Sequence, residues 1–276
     1  MTLARRGVLS GLLGALAGCS PAALLNTTVS RKGFTLEADI PYGSDPRQKL
    51  DLYRPDAPRA DGKAVIFFYG GSWDSGTKSD YLFVAQAFAA NGLTVVVPDY
   101  RIYPEVRFPA FVEDAAVATR WTADRVGTER LFVMGHSAGA HSALMLVSDT
   151  RYLIDAGVDR MKLAGAIGLA GPYDFLPLTS RRLQNIFGGA NNPAAQPITF
   201  AQAPLLPVLL LHGEIDRTVY PRNTIRLAAA WKAAGGSAEM KLYPEVDHID
   251  IVAALSSFLR ARAPTLADSM AFIDRH

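Results

Sequence analysis

The sequence predicts an α/β fold with a mainly parallel central sheet, helices on both faces and an antiparallel N-terminal edge. Short apolar runs flanked by glycine or proline alternate with helical patterns, which is typical of a parallel sheet covered on both sides. With 276 residues, of which 49% are hydrophobic and 20% charged, the chain can bury one sizeable core. We therefore expect a single domain over residues 33–276.

The elements follow one another in a regular order along the chain. Two extended stretches come first and suit an edge hairpin, Phe34–Ile40 and Lys49–Tyr53. The later candidate strands are Ala64–Phe68, Thr94–Val97, Leu131–Met134, Ala164–Leu169, Val208–Leu211 and Ala238–Leu242. The helical patterns are Tyr81–Asn91, Ala110–Arg125, Gly139–Val147, Asn223–Ala234 and Ile251–Arg260. Segment 173–203, rich in Pro, Asn and Gly, predicts a long loop or a small cap between two strands.

The first 19 residues have the form of an export signal, and residues 20–32 form a connector. Arg5 and Arg6 precede an apolar run shorter than the roughly 20 residues that span a bilayer as a helix. The run ends in Leu16-Ala17-Gly18-Cys19, which resembles a bacterial lipobox. This resemblance implies a lipoprotein of the cell envelope, anchored to the membrane through Cys19 after twin-arginine or general export. The alternative is an ordinary cleaved signal with a chance cysteine.

Charge and cysteine usage exclude several classes of function. The net charge of +2 comes from 28 basic and 26 acidic residues scattered along the chain, so no basic stripe indicates a nucleic-acid partner. Cys19 is the only cysteine, which excludes a disulfide within the chain. Neither H-E-x-x-H nor clustered His and Cys ligands occur, so we expect no catalytic metal.

The motif Gly135-His136-Ser137-Ala138-Gly139 stands where a predicted strand gives way to a predicted helix. It fits the G-x-S-x-G turn, in which glycines relieve crowding and the strained serine projects its hydroxyl beyond the sheet edge. Isolated occurrences of this motif arise by chance, but the strand-turn-helix context strengthens it. We predict Ser137 as a nucleophile.

A serine hydroxyl needs a base within hydrogen-bond reach. His136 and His141 are too close to Ser137 in sequence to fold back onto it, and His276 is terminal. His212 directly follows a strand, where a buried structural role is expected. His248 follows the last strand, at the carboxyl edge of the sheet where ligands bind in such folds. We predict His248 as the general base.

The base needs a carboxylate to orient its imidazole. Asp247 and Asp250 are too close to His248 in sequence to bind its Nδ1 from behind. Asp216 follows the preceding strand and completes the order Ser, Asp, His. We predict Asp216 for this role, with Glu214 as the alternative.

A third requirement is a set of fixed donors for the oxyanion that forms when the serine attacks a carbonyl. The glycine-rich stretch Phe68-Tyr-Gly-Gly-Ser-Trp73 directly follows a strand, so its backbone N–H groups can point at the turn that carries Ser137, here called the elbow. We predict that Gly71 and Ser72 supply two donors and that Ala138 supplies a third.

These motifs together resemble the esterase/lipase branch of the α/β-hydrolase superfamily, especially carboxylesterases and kynurenine-formamidase-like enzymes with an H-G-G-x-W loop. The resemblance covers nearly everything after residue 40, although Tyr69 replaces the usual histidine of that loop. It implies acyl transfer without a cofactor, by nucleophilic attack of Ser137 on an ester or activated amide. The matching stretches are Tyr69–Trp73, Pro98–Glu105, Gly135–Gly139, His212–Asp216 and His248. Within them Asp99, Tyr100, Arg101 and Glu105 are expected to brace loops near the site.

The substrate side is less constrained by sequence. Trp73, Tyr173 and Phe175 follow strands whose carboxyl ends should face the site, which favours an aromatic-walled pocket of modest size; the alternative is that all three pack in the core. Segment 173–203 is short and partly polar, so we expect small soluble esters with short acyl groups rather than lipid emulsions. An amide or formamide hydrolase, and a catalytically silent binding domain tethered to the membrane, remain as alternatives.

Overall fold

The computed structural model describes residues 25–27, 29–128, 130–203 and 205–276. The predicted export signal and Cys19 lie outside these residues. Within them, eight strands form one sheet in the order β1-β2-β4-β3-β5-β6-β7-β8. The strands are β1 (Phe34–Pro41), β2 (Lys49–Pro55), β3 (Ala64–Phe68), β4 (Thr94–Pro98), β5 (Leu131–His136), β6 (Leu163–Leu169), β7 (Val208–Gly213) and β8 (Ala238–Tyr243).

The strand directions confirm the predicted fold class. β2 pairs antiparallel with both β1 and β4, whereas every later pairing is parallel. All eight predicted strands are present, each with ends within two residues of the prediction. The central strand β5 is buried along its whole length, because it has neighbours on both edges and helices above and below.

The helices that cover the sheet are α1 (Leu82–Ala89), α2 (Ala110–Arg125), α3 (Ala138–Ser148), α4 (Arg151–Asp155), α5 (Arg181–Phe187), α6 (Arg222–Ala233), α7 (Asp250–Ala253) and α8 (Thr265–Arg275). Short 3-10 helices occupy Lys78–Tyr81, Arg160–Lys162, Pro193–Ala195, Pro197–Phe200 and Arg260–Arg262. Among the helices of the described residues, none has the length and hydrophobicity of a transmembrane span.

Two glycines of β6 show that both faces of the sheet are covered. A Cβ atom on Gly165 would lie 3.2 Å from the ring of Phe272 in α8, and one on Gly168 would lie 3.0 Å from Leu144 in α3. Residues three apart in a strand point to opposite faces. Thus α3 and α8 pack on opposite sides of β6.

The C-terminal region corrects the predicted helix Ile251–Arg260. The helix that forms there, α7, ends at Ala253, and Ser256 Oγ donates a hydrogen bond of 2.7 Å to the Ala253 carbonyl. The same oxygen accepts a hydrogen bond of 3.2 Å from Leu259 N–H, so the serine side chain competes with helical hydrogen bonding. The sequence prediction also missed α8, an amphipathic helix that begins directly after Pro264.

Candidate active site

The turn between β5 and α3 holds Ser137 in an unusual backbone conformation. β5 ends at His136 and α3 begins at Ala138, which leaves Ser137 between them with φ 54° and ψ −120°. A Cβ atom on Gly139 would lie only 2.0 Å from the Phe68 carbonyl oxygen, and one on Gly135 would lie 2.3 Å from Gly139. The strand-turn-helix interpretation is therefore confirmed, and both glycines are required because the backbone leaves no room for a side chain.

Ser137, His248 and Asp216 form one continuous chain of hydrogen bonds. His248 Nε2 lies 2.9 Å from Ser137 Oγ, and His248 Nδ1 lies 2.8 Å from Asp216 Oδ2. A carboxylate can only accept, so Nδ1 carries the proton and Nε2 is free to accept from the serine hydroxyl. All three residues are buried. This is the arrangement that a serine nucleophile and its base require.

The Asp216 carboxylate is held in place by several donors. Its Oδ1 accepts hydrogen bonds from the backbone N–H groups of Thr218 at 2.8 Å and Val219 at 2.9 Å. Burial alone would raise the pKa of this carboxyl, but hydrogen bonds from His212 and His248 outweigh that effect and lower the pKa below its ordinary value. Asp216 therefore stays ionised while it faces the imidazole.

His212 has the structural role expected of it. Its side chain is fully buried, its Nε2 lies 2.8 Å from the Val219 carbonyl and 3.2 Å from Asp216 Oδ2, and its Nδ1 lies 2.8 Å from Thr224 Oγ1. The carbonyl can only accept, so Nε2 carries the proton and Nδ1 accepts from the threonine hydroxyl. His212 thus supports the loop that carries Asp216.

The other candidate carboxylates do not bind the His248 imidazole. Glu214 is exposed, while Asp250 pairs with Arg262. Asp247 Oδ1 accepts hydrogen bonds of 2.8 Å from the N–H groups of Ile249 and Asp250, which closes a local turn. Of the predicted carboxylates, the structure brings only Asp216 to His248.

The loop after β3 has three consecutive residues with positive φ. The values are 139° for Gly71, 51° for Ser72 and 63° for Trp73, and the last two are unusual for residues with side chains. Within the described part of the chain, the N–H groups of Gly71, Ser72 and Ala138 have no hydrogen-bond acceptor. Gly70 packs directly on the elbow, since a Cβ there would lie 3.0 Å from Ser137 Cβ. The predicted oxyanion donors are therefore free and border the serine.

Tyr69 supports this loop from below. Its hydroxyl donates to Asp99 Oδ1 at 2.8 Å and accepts from Arg47 at 3.0 Å. Its ring stacks on those of Tyr100 and Tyr81, with centroids 4.7 and 5.6 Å away. Arg47 also donates to the carbonyls of Tyr100 and Gly76. The loop after β3 is therefore braced by a cluster of side chains around the phenol of Tyr69.

The stretch after β4 behaves largely as the resemblance implied. Arg101 forms a bidentate ion pair with buried Asp114. The Tyr100 hydroxyl donates a hydrogen bond of 2.8 Å to the Tyr69 carbonyl. Glu105 differs: it is exposed and has no hydrogen bond or ion pair to any described residue. The expected bracing role of Glu105 is wrong, because the chain turns its side chain to solvent.

His136 in the motif and His141 two residues after it hold neighbouring segments, a role that was not predicted for either histidine. His136 Nε2 lies 2.9 Å from the carbonyl of His248, and His141 Nε2 lies 2.8 Å from the carbonyl of Ala195. Burial lowers the pKa of His136 to about 3 and that of His141 to about 4. Both rings are therefore neutral donors near neutral pH. The spacing H-S-A-G-A-H is the signal that could have revealed them.

Two cavities meet at Ser137, and Ser72 and Thr218 line both. The first, here called the apolar cavity, has a volume of about 520 Å³. Its apolar walls are Leu25, Tyr81, Phe83, Ile249, Val252, Ala253 and Leu259. The second, the cap-side cavity, has a volume of about 440 Å³ and is bounded by segment 173–203 and the start of α6. A bound molecule can thus extend from the serine in two directions.

The aromatic pocket prediction is partly wrong. Trp73 and Phe175 line the cap-side cavity, and Phe187 lies beside them. Tyr173, by contrast, is fully buried and lines neither cavity. Its ring fills the space left by Gly168 and Gly171, where an added Cβ would come within 2.0 and 2.4 Å of it. Tyr173 is therefore a core residue.

Segment 173–203 is a small folded unit with one helix, α5, and two 3-10 helices. Gln196 Oε1 accepts hydrogen bonds from the N–H groups of Phe175 at 2.7 Å and Leu176 at 3.0 Å. The His141 hydrogen bond to Ala195 ties the same turn to α3. Among the described residues, no group of three His, Cys, Asp or Glu side chains is placed to hold a metal ion.

Comparison with solved structures supports the fold. Esterase B from Lactobacillus rhamnosis superposes with a TM-score of 0.78 at 18% identity, over 92% of this chain and 90% of that protein. An esterase from Thermogutta terrifontis, Est2 with propionate bound, gives a TM-score of 0.70 at 24% identity, over 88% and 94% of the two chains. At these identities the likeness establishes an α/β-hydrolase fold.

Sequence comparison adds named relatives and a family. A probable isoprenylcysteine alpha-carbonyl methylesterase of Oryza sativa subsp. japonica is 28% identical over 236 residues, which cover 76% of this chain and 57% of the relative. The kynurenine formamidase of Danio rerio is 32% identical over 145 residues, or 51% of this chain and 48% of the relative. The chain thus spans about half the length of these curated relatives. The BD-FAE family model matches residues 50–231, which is well over half of the chain, and the protein therefore belongs to the BD-FAE family of α/β-hydrolases.

Proposed function

We propose that the protein is a serine hydrolase that cleaves carboxylic esters of small soluble molecules through an acyl-enzyme. The observation that carries this proposal is the hydrogen-bonded chain from Ser137 through His248 to Asp216. The names of the relatives, a methylesterase and a formamidase, support hydrolysis of an acyl bond.

The mechanism follows from which atoms can accept the proton. Ser137 Oγ attacks the ester carbonyl while His248 Nε2 takes the hydroxyl proton, and Asp216 stabilises the imidazolium that results. The N–H groups of Gly71, Ser72 and Ala138 stabilise the tetrahedral oxyanion, because they have no competing acceptor in the described structure. His248 then protonates the leaving alcohol. Water repeats the sequence on the acyl-enzyme and releases the acid.

A formamide substrate is the second candidate, and one observation favours it. The relative named kynurenine formamidase has the higher identity of the two relatives described above, although over a shorter stretch. A formamide carbonyl would use the same nucleophile and the same oxyanion donors. The first experiment is therefore a direct comparison of 4-nitrophenyl esters with N-formylkynurenine. Larger kcat/KM for the esters supports the proposal, and larger kcat/KM for the formamide replaces it with the second candidate.

Membrane anchoring is a separate proposal that depends on Cys19 alone. We infer from the lipobox-like Leu16-Ala17-Gly18-Cys19 that the mature protein carries lipid on Cys19 and stays in the membrane fraction. The variant Cys19→Ala should change processing of the signal or release the protein. Unchanged mature mass and membrane association in that variant would contradict the anchor.

A further inference from the structure

The two cavities at Ser137 differ in charge. The apolar cavity has one acidic wall residue, Asp80. The cap-side cavity has two arginines, Arg182 and Arg222, and no Asp or Glu. Both cavities open at the same serine, so only the half of an ester that enters the cap-side cavity would meet cationic wall residues. This asymmetry favours a substrate with a negative charge on one side only.

The two arginines are not equally available. Arg182 forms an ion pair with Asp74, which neutralises most of its charge. Arg222 has no hydrogen bond or ion pair with any described residue, and its guanidinium lies over the ring of Tyr220, 5.3 Å from the centroid. The stacking orders the side chain and leaves its N–H donors free. Arg222 is therefore the cation that can bind a ligand.

The position of Arg222 is unfavourable for the helix that it begins. It is the first residue of α6, where the helix dipole favours Asp or Glu and disfavours a cation. No acidic residue lies in that first turn to compensate. Residues that break such a local rule tend to occur at functional sites.

The neighbouring residue fixes the start of α6 against the cap. Asn223 Oδ1 accepts hydrogen bonds from the N–H groups of Tyr173 at 3.0 Å and Asp174 at 2.9 Å, and its Nδ2 donates to the Tyr220 carbonyl at 3.0 Å. Asn223 is buried, and both its amide oxygen and its amide nitrogen take part in these contacts. The backbone that carries Arg222 and Tyr220 is thus held at the wall of the cap-side cavity.

We propose that the cap-side cavity receives a carboxylate-bearing half of the substrate, with Arg222 as its binding partner and the aromatic rings of Trp73 and Phe175 along the wall. The inference rests on the proposed ester hydrolysis and adds the class of substrate: esters of which one half is anionic and the other is uncharged and apolar. The neutral, apolar half occupies the apolar cavity.

Two substrate pairs test this. In the first pair the charge is on the acyl half, with the mono-4-nitrophenyl ester of adipic acid against its terminal amide. In the second pair the charge is on the alcohol half, with 4-acetoxybenzoate against 4-acetoxybenzamide. The amide in each pair has nearly the same size and differs in charge. We expect one pair to show a preference of about five-fold or more in kcat/KM for the carboxylate at low ionic strength, declining as salt is added.

The variants identify the residue responsible. Arg222→Gln should reduce the preference ratio to near 1, and Arg222→Lys should keep part of it, because a lysine retains charge without the planar fork. The matched control is Arg217→Gln, which removes an exposed arginine that lines neither cavity and should leave the ratio unchanged.

The outcomes separate this inference from the proposed function. If the amide members are cleaved and neither pair shows a preference for the carboxylate, the charge inference is overturned. Ester hydrolysis then still stands. A preference that persists in Arg222→Gln also overturns it. If none of the four compounds is cleaved, both proposals are overturned.

Discussion

The imidazole of His136 donates a hydrogen bond of 2.9 Å from Nε2 to the backbone carbonyl of His248. The residue before the proposed nucleophile thus holds the residue proposed as its base. The two rings also lie 4.8 Å apart, and both side chains are buried. The distance between Ser137 Oγ and His248 Nε2 therefore depends on a second histidine, His136, which takes no proton itself.

Replacing His136 should impair turnover more than substrate binding. His136→Leu leaves the His248 carbonyl without its donor, which costs about 1–3 kcal/mol and frees the loop to move. We expect kcat to fall about ten-fold or more with little change in KM, and His136→Gln, which keeps an amide donor, to recover part of the loss. Steady-state kinetics with urea unfolding as a folding check would measure this. A variant that loses stability but keeps kcat would show that the contact only supports the fold.

Ser137→Ala should reduce ester turnover by several orders of magnitude with the fold intact. The substitution removes one hydroxyl, and members of a triad act as a unit, so a loss of about 10⁴-fold or more is expected. The matched control is Ser142→Ala in the adjacent turn of α3, which lines neither cavity. A fluorophosphonate probe should label the parent protein and Ser142→Ala but not Ser137→Ala. Turnover that survives in Ser137→Ala would contradict the assignment.

Lengthening the acyl chain of the ester should reduce kcat/KM. Helix α5 presents Arg181, Arg182 and Asn185 to solvent, so segment 173–203 offers no continuous apolar face to a lipid surface. Both cavities are limited in volume, and a long acyl chain would extend into water. A graded series of 4-nitrophenyl esters measures the trend, with tributyrin below and above its solubility limit as the test for interfacial activation. Rising activity toward emulsified long-chain esters would contradict the expectation.

Stability should fall as the pH drops from neutral toward 4. The folded state holds the pKa of His141 at about 4 and that of His136 at about 3, whereas each is near 6.5 in the unfolded chain. Between these values the unfolded chain binds more protons, so acid favours unfolding. For His141 the loss between pH 7 and pH 5 is about 2 kcal/mol. Urea unfolding at both pH values should show a smaller difference for His141→Phe; an equal difference would assign the effect to other groups.

The parts of the site that sequence reasoning found are those with rigid spacing. Gly135 and Gly139 cannot carry side chains because backbone lies 2.3 Å or less from their Cβ positions, so the motif defines the elbow uniquely. The parallel strand order then brings the ends of β5, β7 and β8 to one edge, and Ser137, Asp216 and His248 with them.

The parts that it missed depend on contacts between distant segments. Tyr173 follows β6 as Trp73 follows β3, yet its ring turns into the space above Gly168, which no local pattern records. Arg47 reaches Tyr69 from the antiparallel edge, 22 residues earlier in the chain. The helix predicted to run to Arg260 stops at Ala253 because Ser256 bonds back to the backbone, a competition that apolar periodicity alone cannot detect.

The hydrogen bond from His141 to Ala195 has a consequence for exchanging segments between relatives. Segment 173–203 touches α3 through that carbonyl and closes on itself through Gln196. A graft of this segment from another α/β-hydrolase would need a carbonyl at the same place, or His141 would be left as an unpaired donor in a ring of phenylalanines. To reshape the cap-side cavity by grafting, His141 and residues 173–203 should therefore be exchanged together.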